Sequence, residues 1–193
     1  MAQLIAHRGL YKDNSIRGIL AALEAGHGAE FDVRDVEDHL AIQHDPFQVY
    51  RHSMETMGQL LVAIGDRKGT LAINVKSSGL GQAWENLFCH RPALLEQVFF
   101  FDLAGPDHVD YLNRGLPVYD RISDVEAPFF DARTTGVVWD HFGINDWMYE
   151  NNAEVVASLK REGKKVVQIG HDLWKRDWEP SPLADYVITS RFE

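Results

Sequence analysis

Glu30 and Asp32 are separated by a single residue in the segment GAEFDVR. On an extended strand both carboxylates therefore project from one face. Two unpaired carboxylates on a covered face carry a large desolvation cost. One divalent cation removes that cost, and oxygen donors at this spacing suit Mg2+ or Ca2+. A solvated strand edge is the competing reading of the pair. Asn74 and Lys76 in INVK repeat the same spacing. Asn74 offers a carbonyl oxygen as a further metal ligand, and the Lys76 ammonium can meet an anionic oxygen of a substrate. His7 and Arg8 close one apolar run, and His44 with Asp45 follows the next. Asp102, Asp120, Arg121, Asp140, His141, His171, Asp172 and Trp174 end or follow later runs. Among these, Asp120, Arg121, His141, His171 and Trp174 are candidate substrate contacts by position. Salt-bridged or solvated loop residues are the alternative for each.

Residues spread this widely along the chain need a fold that gathers run ends. Eight short runs rich in Val, Ile and Phe recur at 4–9, 30–34, 70–76, 98–103, 117–122, 137–142, 165–170 and 186–190. They are apolar on both faces, as strands of a covered parallel sheet are. Between them Ser15 can cap a helix that ends at Gly26, and its Ile16, Ile19, Leu20 and Leu23 form an apolar stripe. Further helices are expected over 57–66, 80–90, 106–114 and 145–162. The segments SDVEAPFFDAR and DLWKRDWEPSPLAD are too interrupted by proline for long helices. Eight strands with crossovers predict one compact (β/α)8 barrel over residues 1–193, with some helices short or missing. An open doubly wound sheet is the alternative, and it uses fewer strands. In a barrel the run ends converge on the C-terminal face, where active sites are built.

Composition narrows the function. The net charge of -10 argues against a general nucleic-acid binder, which needs basic surface to displace phosphate counterions. Neither GxGxxG nor GxxxxGK[ST] occurs, which removes the usual nucleotide-binding loops. Cys89 is the only cysteine, so no intrachain disulfide can form. The first residues lack the basic start and apolar core of a signal peptide. No apolar run reaches membrane-spanning length. The expectation is a cytoplasmic protein with a small-molecule substrate, no nucleic acid and no stable membrane anchor.

The stretches AHRGL, DNS, GAEFDVR, IQHDP, INVK and DYVITSR, in this order, resemble the glycerophosphodiester phosphodiesterases. The specific part of the likeness covers residues 4–76. It implies a phosphoric diester hydrolase with His7 and His44 as the acid–base pair. Glu30 and Asp32 become metal ligands, and Arg8 and Lys76 lie at the phosphate. The same two histidines also serve a phospholipase-D-like or cyclising lyase reaction, and a non-catalytic phosphoester-binding barrel is the third reading. The chain departs from the family pattern in three ways. Asn74 stands where a third metal carboxylate is usual, and Asp13 replaces a glutamate in a helix-start motif that also lacks its proline. Few residues separate His44 from the next helix, so the insertion that shapes the usual glycerol pocket is missing.

Overall fold

The computed structural model describes residues 1–46, 54–129, 131–174 and 178–192; of Trp174 it describes the backbone. In chain order the strands are β1 (Gln3–Ala6), β2 (Gly28–Val36), β3 (His39–Ile42), β4 (Leu71–Val75), β5 (Val98–Phe101), β6 (Tyr119–Ile122), β7 (Gly136–Trp139), β8 (Lys165–Ile169) and β9 (Tyr186–Thr189). All but β3 match the expected runs. These eight pair in parallel in the order β5-β4-β2-β1-β9-β8-β7-β6. A bridge between Phe100 and Val118 joins the two ends of that order, where the Phe100 N–H donates to the Pro117 carbonyl at 2.8 Å. The sheet is thus a nearly closed (β/α)8 barrel. β6 begins later than the apolar run because Pro117 has no N–H to give a ladder.

The strand β3 is an addition to the sequence reading. β2 runs past Arg34 to Val36, and Glu37 turns the chain with φ 53°. β3 then pairs back antiparallel, with Val36 opposite His39. Six helices are described: α1 (Ile16–Glu24), α2 (Met57–Ile64), α3 (Gly81–Phe88), α4 (Pro92–Leu95), α5 (Gly105–Asn113) and α6 (Asp146–Arg161). Ser15 caps α1 by accepting from the Gly18 N–H, and Thr56 with Gln59 forms a capping box on α2. The proline-interrupted segment after β6 has no α-helix among its described residues, and that after β8 has one 3-10 turn, His171–Trp174. No helix among the described residues is long and apolar enough to cross a membrane.

The period of two sorts each strand into two layers. Phe31, Ile73 and Phe100 pack outward against Ile19, Ile64 and Trp84. Ile5, Ala72, Phe99, Phe101, Tyr119, Val138, Val167, Ile169 and Ile188 fill the interior. At the weakly bridged seam, the Phe99 and Tyr119 rings stack 4.1 Å apart. Gly136 lies opposite Tyr119 in the ladder, and a Cβ there would stand 2.5–2.7 Å from three atoms of the Tyr119 ring. The stacked ring cannot swing away without opening the seam. Gly136→Ala should therefore cost about 1–3 kcal/mol as overpacking, read as a fall of several degrees in Tm. An unchanged melt would show that the seam yields freely.

Candidate active site

The layering that builds the core also aims the polar residues. On β2, Ala29, Phe31 and Val33 join the outer core, so Glu30 and Asp32 point inward. Their ladder partners on β4 are Ala72 and Asn74. The small Ala72 side chain leaves room beside Glu30, while Asn74 shares the layer of Asp32. His7 lies two residues beyond the inward Ile5 and keeps its direction.

The HRG turn is fixed by backbone needs. Arg8 and Gly9 have φ 57° and 72°, a left-handed conformation that glycine tolerates best. A Cβ on Gly9 would also lie 2.6 Å from the backbone of Gly18 in α1. Asn14 then ties this loop to β2: its Oδ1 accepts from the Asp32 N–H at 2.9 Å, and its Nδ2 donates to the Asp32 carbonyl at 3.3 Å.

His7, Arg8, Glu30, Asp32, His44, Asn74 and Lys76 line one cavity of about 190 Å³ together with Asp102, Arg121 and Asp140. The Arg8 N–H donates to Glu30 Oε2 at 3.0 Å, and its Nε donates to Asp32 Oδ2 at 3.1 Å. Lys76 Nζ lies 3.5 Å from Asp32 Oδ1 and donates to Asp102 Oδ2 at 3.0 Å. Asp102 also pairs with Arg121, whose Nε and Nη2 hold Glu126 at 3.0 and 2.9 Å. His7 Nε2 is 3.9 Å from Glu30 Oε2, and His7 Nδ1 is 3.5 Å from Ser190 Oγ. His44 Nδ1 is 2.8 Å from Asp45 Oδ1. Arg34 braces this side by donating to the His44 carbonyl at 2.9 Å and to the Lys76 carbonyl at 3.1 Å.

Burial and the adjacent Arg8 charge lower the His7 pKa to about 4, against the opposing pull of Asp32 and Asp172. His7 is therefore neutral near pH 7 and able to accept a proton. Burial, reinforced by Asp32, pushes Glu30 up to about 8. Without a cation this carboxyl holds a proton at neutral pH.

The oxygen donors suit a hard divalent ion. Glu30 and Asp32 are 2% exposed, and both face the cavity. Asn74 Oδ1 is buried and accepts no hydrogen bond. An orphaned carbonyl oxygen opposite Asp32 is a costly arrangement, and a cation in this layer would satisfy it. Among the described residues no three His, Cys, Asp or Glu side chains are grouped to hold a metal. Such an ion would rest on two carboxylates and one amide oxygen.

The sequence-predicted set is thus brought together except at its edge. His171 does not line the cavity; its ring lies 5.2 Å from His141, 5.4 Å from Tyr149 and 5.9 Å from Trp178. The Trp174 side chain lies outside the described residues. It is the neighbour Asp172 that serves the site, accepting from the Ser190 N–H at 2.9 Å and Thr189 Oγ1 at 3.0 Å behind His7. Sequence reasoning gave no role to Asn14, Arg34, Asp102 or Asp172. Their strand-end and loop positions were visible, but their partners lie 10 to 42 residues away. A second cavity of about 580 Å³, which includes Asp120, His108 and Phe129, adjoins the first, and Asp102 and Arg121 line both.

By sequence the chain matches no protein-family model and no curated protein. Its fold is shared with solved structures. A glycerophosphodiester phosphodiesterase from Parabacteroides distasonis superposes with a TM-score of 0.69 at 17% identity, over 98% of this chain and 92% of that one. A glycerophosphodiester phosphodiesterase from Agrobacterium tumefaciens gives 0.68 at 13% identity, over 99% of this chain and 97% of that one.

Proposed function

We propose that this chain is a metal-assisted phosphoric diester hydrolase acting on a glycerophosphodiester or a related phospholipid headgroup. The observation that carries the reading is the convergence of His7, His44, Arg8, Lys76, Glu30 and Asp32 on one cavity at the C-terminal ends of the strands. The shared fold of two glycerophosphodiester phosphodiesterases supports it. An in-line attack on phosphorus needs one group to take a proton from the nucleophile and another to give one to the leaving oxygen. Neutral His7 suits the first role, and His44, more exposed and beside Asp45, suits the second. Arg8 and Lys76, held in place by Asp32 and Asp102, direct positive charge and N–H donors at the phosphoryl oxygens. A divalent cation held by Glu30, Asp32 and Asn74 would supply Lewis-acid neutralisation of the same charge. The larger adjoining cavity gives the diester's second substituent a place to extend.

The test is a hydrolysis screen of glycerophosphodiesters and lysophospholipids with Mg2+ or Ca2+, with both products identified. A phosphomonoester plus free alcohol supports the reading. A cyclic phosphate assigns the chain to the lyase reaction instead, and no turnover on any diester leaves a binding barrel.

Asn74 allows a sharper check. With two carboxylates the ion gains less Coulomb attraction than with three, since ligand charge helps set divalent affinity. Asn74→Asp should tighten Mg2+ binding about tenfold or more, measured by calorimetric titration. An unchanged affinity with a lower Tm would place Asn74 outside the metal shell, as a new buried carboxylate without a partner.

A further inference from the structure

The barrel is only loosely closed at its seam, and a cavity sits there. Between β5 and β6 the described ladder is one bridge, Phe100 to Val118. Asp120 and Arg121 are consecutive on β6 and so project to opposite faces of it. Both nevertheless line the cavity of about 580 Å³. It therefore runs through the seam, from the catalytic mouth to the outer layer where His108 of α5 lines it. Asp102 and Arg121 are shared with the catalytic cavity. The other lining groups take no part in phosphoryl transfer.

Asp102 has φ 67°, a conformation that an L residue adopts rarely. There its carboxylate accepts from Lys76 at 3.0 Å and pairs with Arg121 as well. Arg121 gives two further N–H groups to Glu126, at 3.0 and 2.9 Å, and a guanidinium carries donors beyond these. Asp120 Oδ1 faces His108 Nδ1 at 3.9 Å. Phe129 is 52% exposed, with its ring 5.1 Å from that of His108. An acyl chain is unsuited to this lining, since it would strip water from charged groups and return no hydrogen bond. A cationic headgroup would compete with Lys76 and Arg121 for Asp102 and Glu126. One ring does not make a cage for a quaternary ammonium, and the other ring in the lining, Tyr119, is stacked on Phe99 at 4.1 Å. A hydroxyl both donates and accepts. Adjacent hydroxyls can therefore bridge a guanidinium and a carboxylate without parting them, while the C–H groups of a ring lie on Phe129. The volume is that of a site for a molecule of drug size, more than glycerol or ethanolamine fills.

We propose that the seam cavity is a subsite for a neutral ring polyol, a cyclitol or a hexose, carried as the second substituent of the diester. That the polyol arrives on a phosphodiester rests on the phosphodiesterase reading; the choice of a polyol rests on the lining. Arg121 and Asp102 stand at the junction of the two cavities, so one network both flanks the phosphate and meets the ring's first hydroxyls. Phe129 is the specificity-determining residue at the ring.

The experiment is calorimetric titration of the whole chain, without divalent cation so that no turnover is required. The ligands are glycerophosphoinositol, glycerophosphoglucose and glycerophosphocholine. Wild type should bind at least one of the two ring polyols about tenfold or more tightly than the choline diester, and the tighter of the two identifies cyclitol or hexose. Phe129→Ala should weaken the preferred ring polyol about fivefold or more and the choline diester less, while Phe129→Tyr keeps the ring and the preference. Phe129 is exposed, and matching thermal melts establish that both variants are folded. Equal or tighter binding of the choline diester overturns the proposal in favour of a cationic headgroup. Phe129→Ala that binds as wild type does overturns it as well, as does a failure of wild type to bind either ring polyol. A ring-polyol preference without cleavage of any diester once Mg2+ is added would retain the subsite and remove the enzymatic reading. Cleavage without that preference would do the reverse, so the two failures are distinct.

Discussion

His7→Ala should lower kcat for diester cleavage by about 10²–10⁴-fold, the usual contribution of a positioned acid–base group, with little change in Tm. The large effect follows from how His7 is held. It projects inward at the end of β1, with Nε2 toward Glu30 at 3.9 Å and Nδ1 toward Ser190 at 3.5 Å. Asp172 fixes Ser190 from behind through its N–H. Burial and the adjacent Arg8 charge together bring its pKa to about 4. With the cation saturating at every pH, a neutral imidazole at pH 5 to 7 keeps kcat/KM free of any limb from His7 until about pH 4, where protonation removes the base. The sign also holds for stability. A histidine whose folded pKa lies below its unfolded value costs stability as pH falls from 6.5 toward 4. Stability of His7→Ala should therefore decline less over that window. A pH–rate profile with its acid limb near 6.5, or a His7→Ala enzyme within a few-fold of wild type, would remove His7 from the base role.

Chelation of divalent cations should cut turnover by about 10²-fold or more, with recovery on adding Mg2+ or Ca2+. Glu30 supplies a second readout. Its pKa of about 8 means that the cation-free folded state holds a proton the unfolded chain has lost above 4.5. Stability of the cation-free protein therefore falls as pH rises from 4.5 through 8. Cation binding must expel that proton, so the rise in Tm on adding Mg2+ should be larger at pH 8 than at pH 6. Glu30→Gln imitates the protonated side chain. It should melt at or above the wild-type temperature without cation, yet bind Mg2+ at least about tenfold more weakly. Full activity in a preparation shown by elemental analysis to lack metal would contradict this part of the mechanism.

The spacing of Glu30 and Asp32 was enough to place both carboxylates on one face, because the strand period of two leaves no other choice. The same holds for Asn74 and Lys76 on β4 and its end. The eight strands were legible because each is short, apolar and set off by polar or helical sequence. β3 was not, since its four residues carry too little alternation to stand out from the loop around them. Role assignments at the site's edge were harder for a different reason. His171 and Asp172 are neighbours in sequence, but the 3-10 turn sends the imidazole toward His141 and the carboxylate toward β9. Only the backbone path of that turn decides which of the two serves the cavity. Asn14 and Arg34 act through the backbone of distant residues, a role that carries no local spacing signature.

The central claim is that this cavity cleaves a phosphodiester by means of His7. The most direct measurement is the ³¹P spectrum of a glycerophosphodiester incubated with Mg2+ and either wild type or His7→Ala. The account predicts that wild type converts the diester resonance to that of a phosphomonoester, while the folded His7→Ala protein leaves it unchanged over the same time. A diester resonance that wild type does not alter, or that both proteins consume at equal rates, would contradict it.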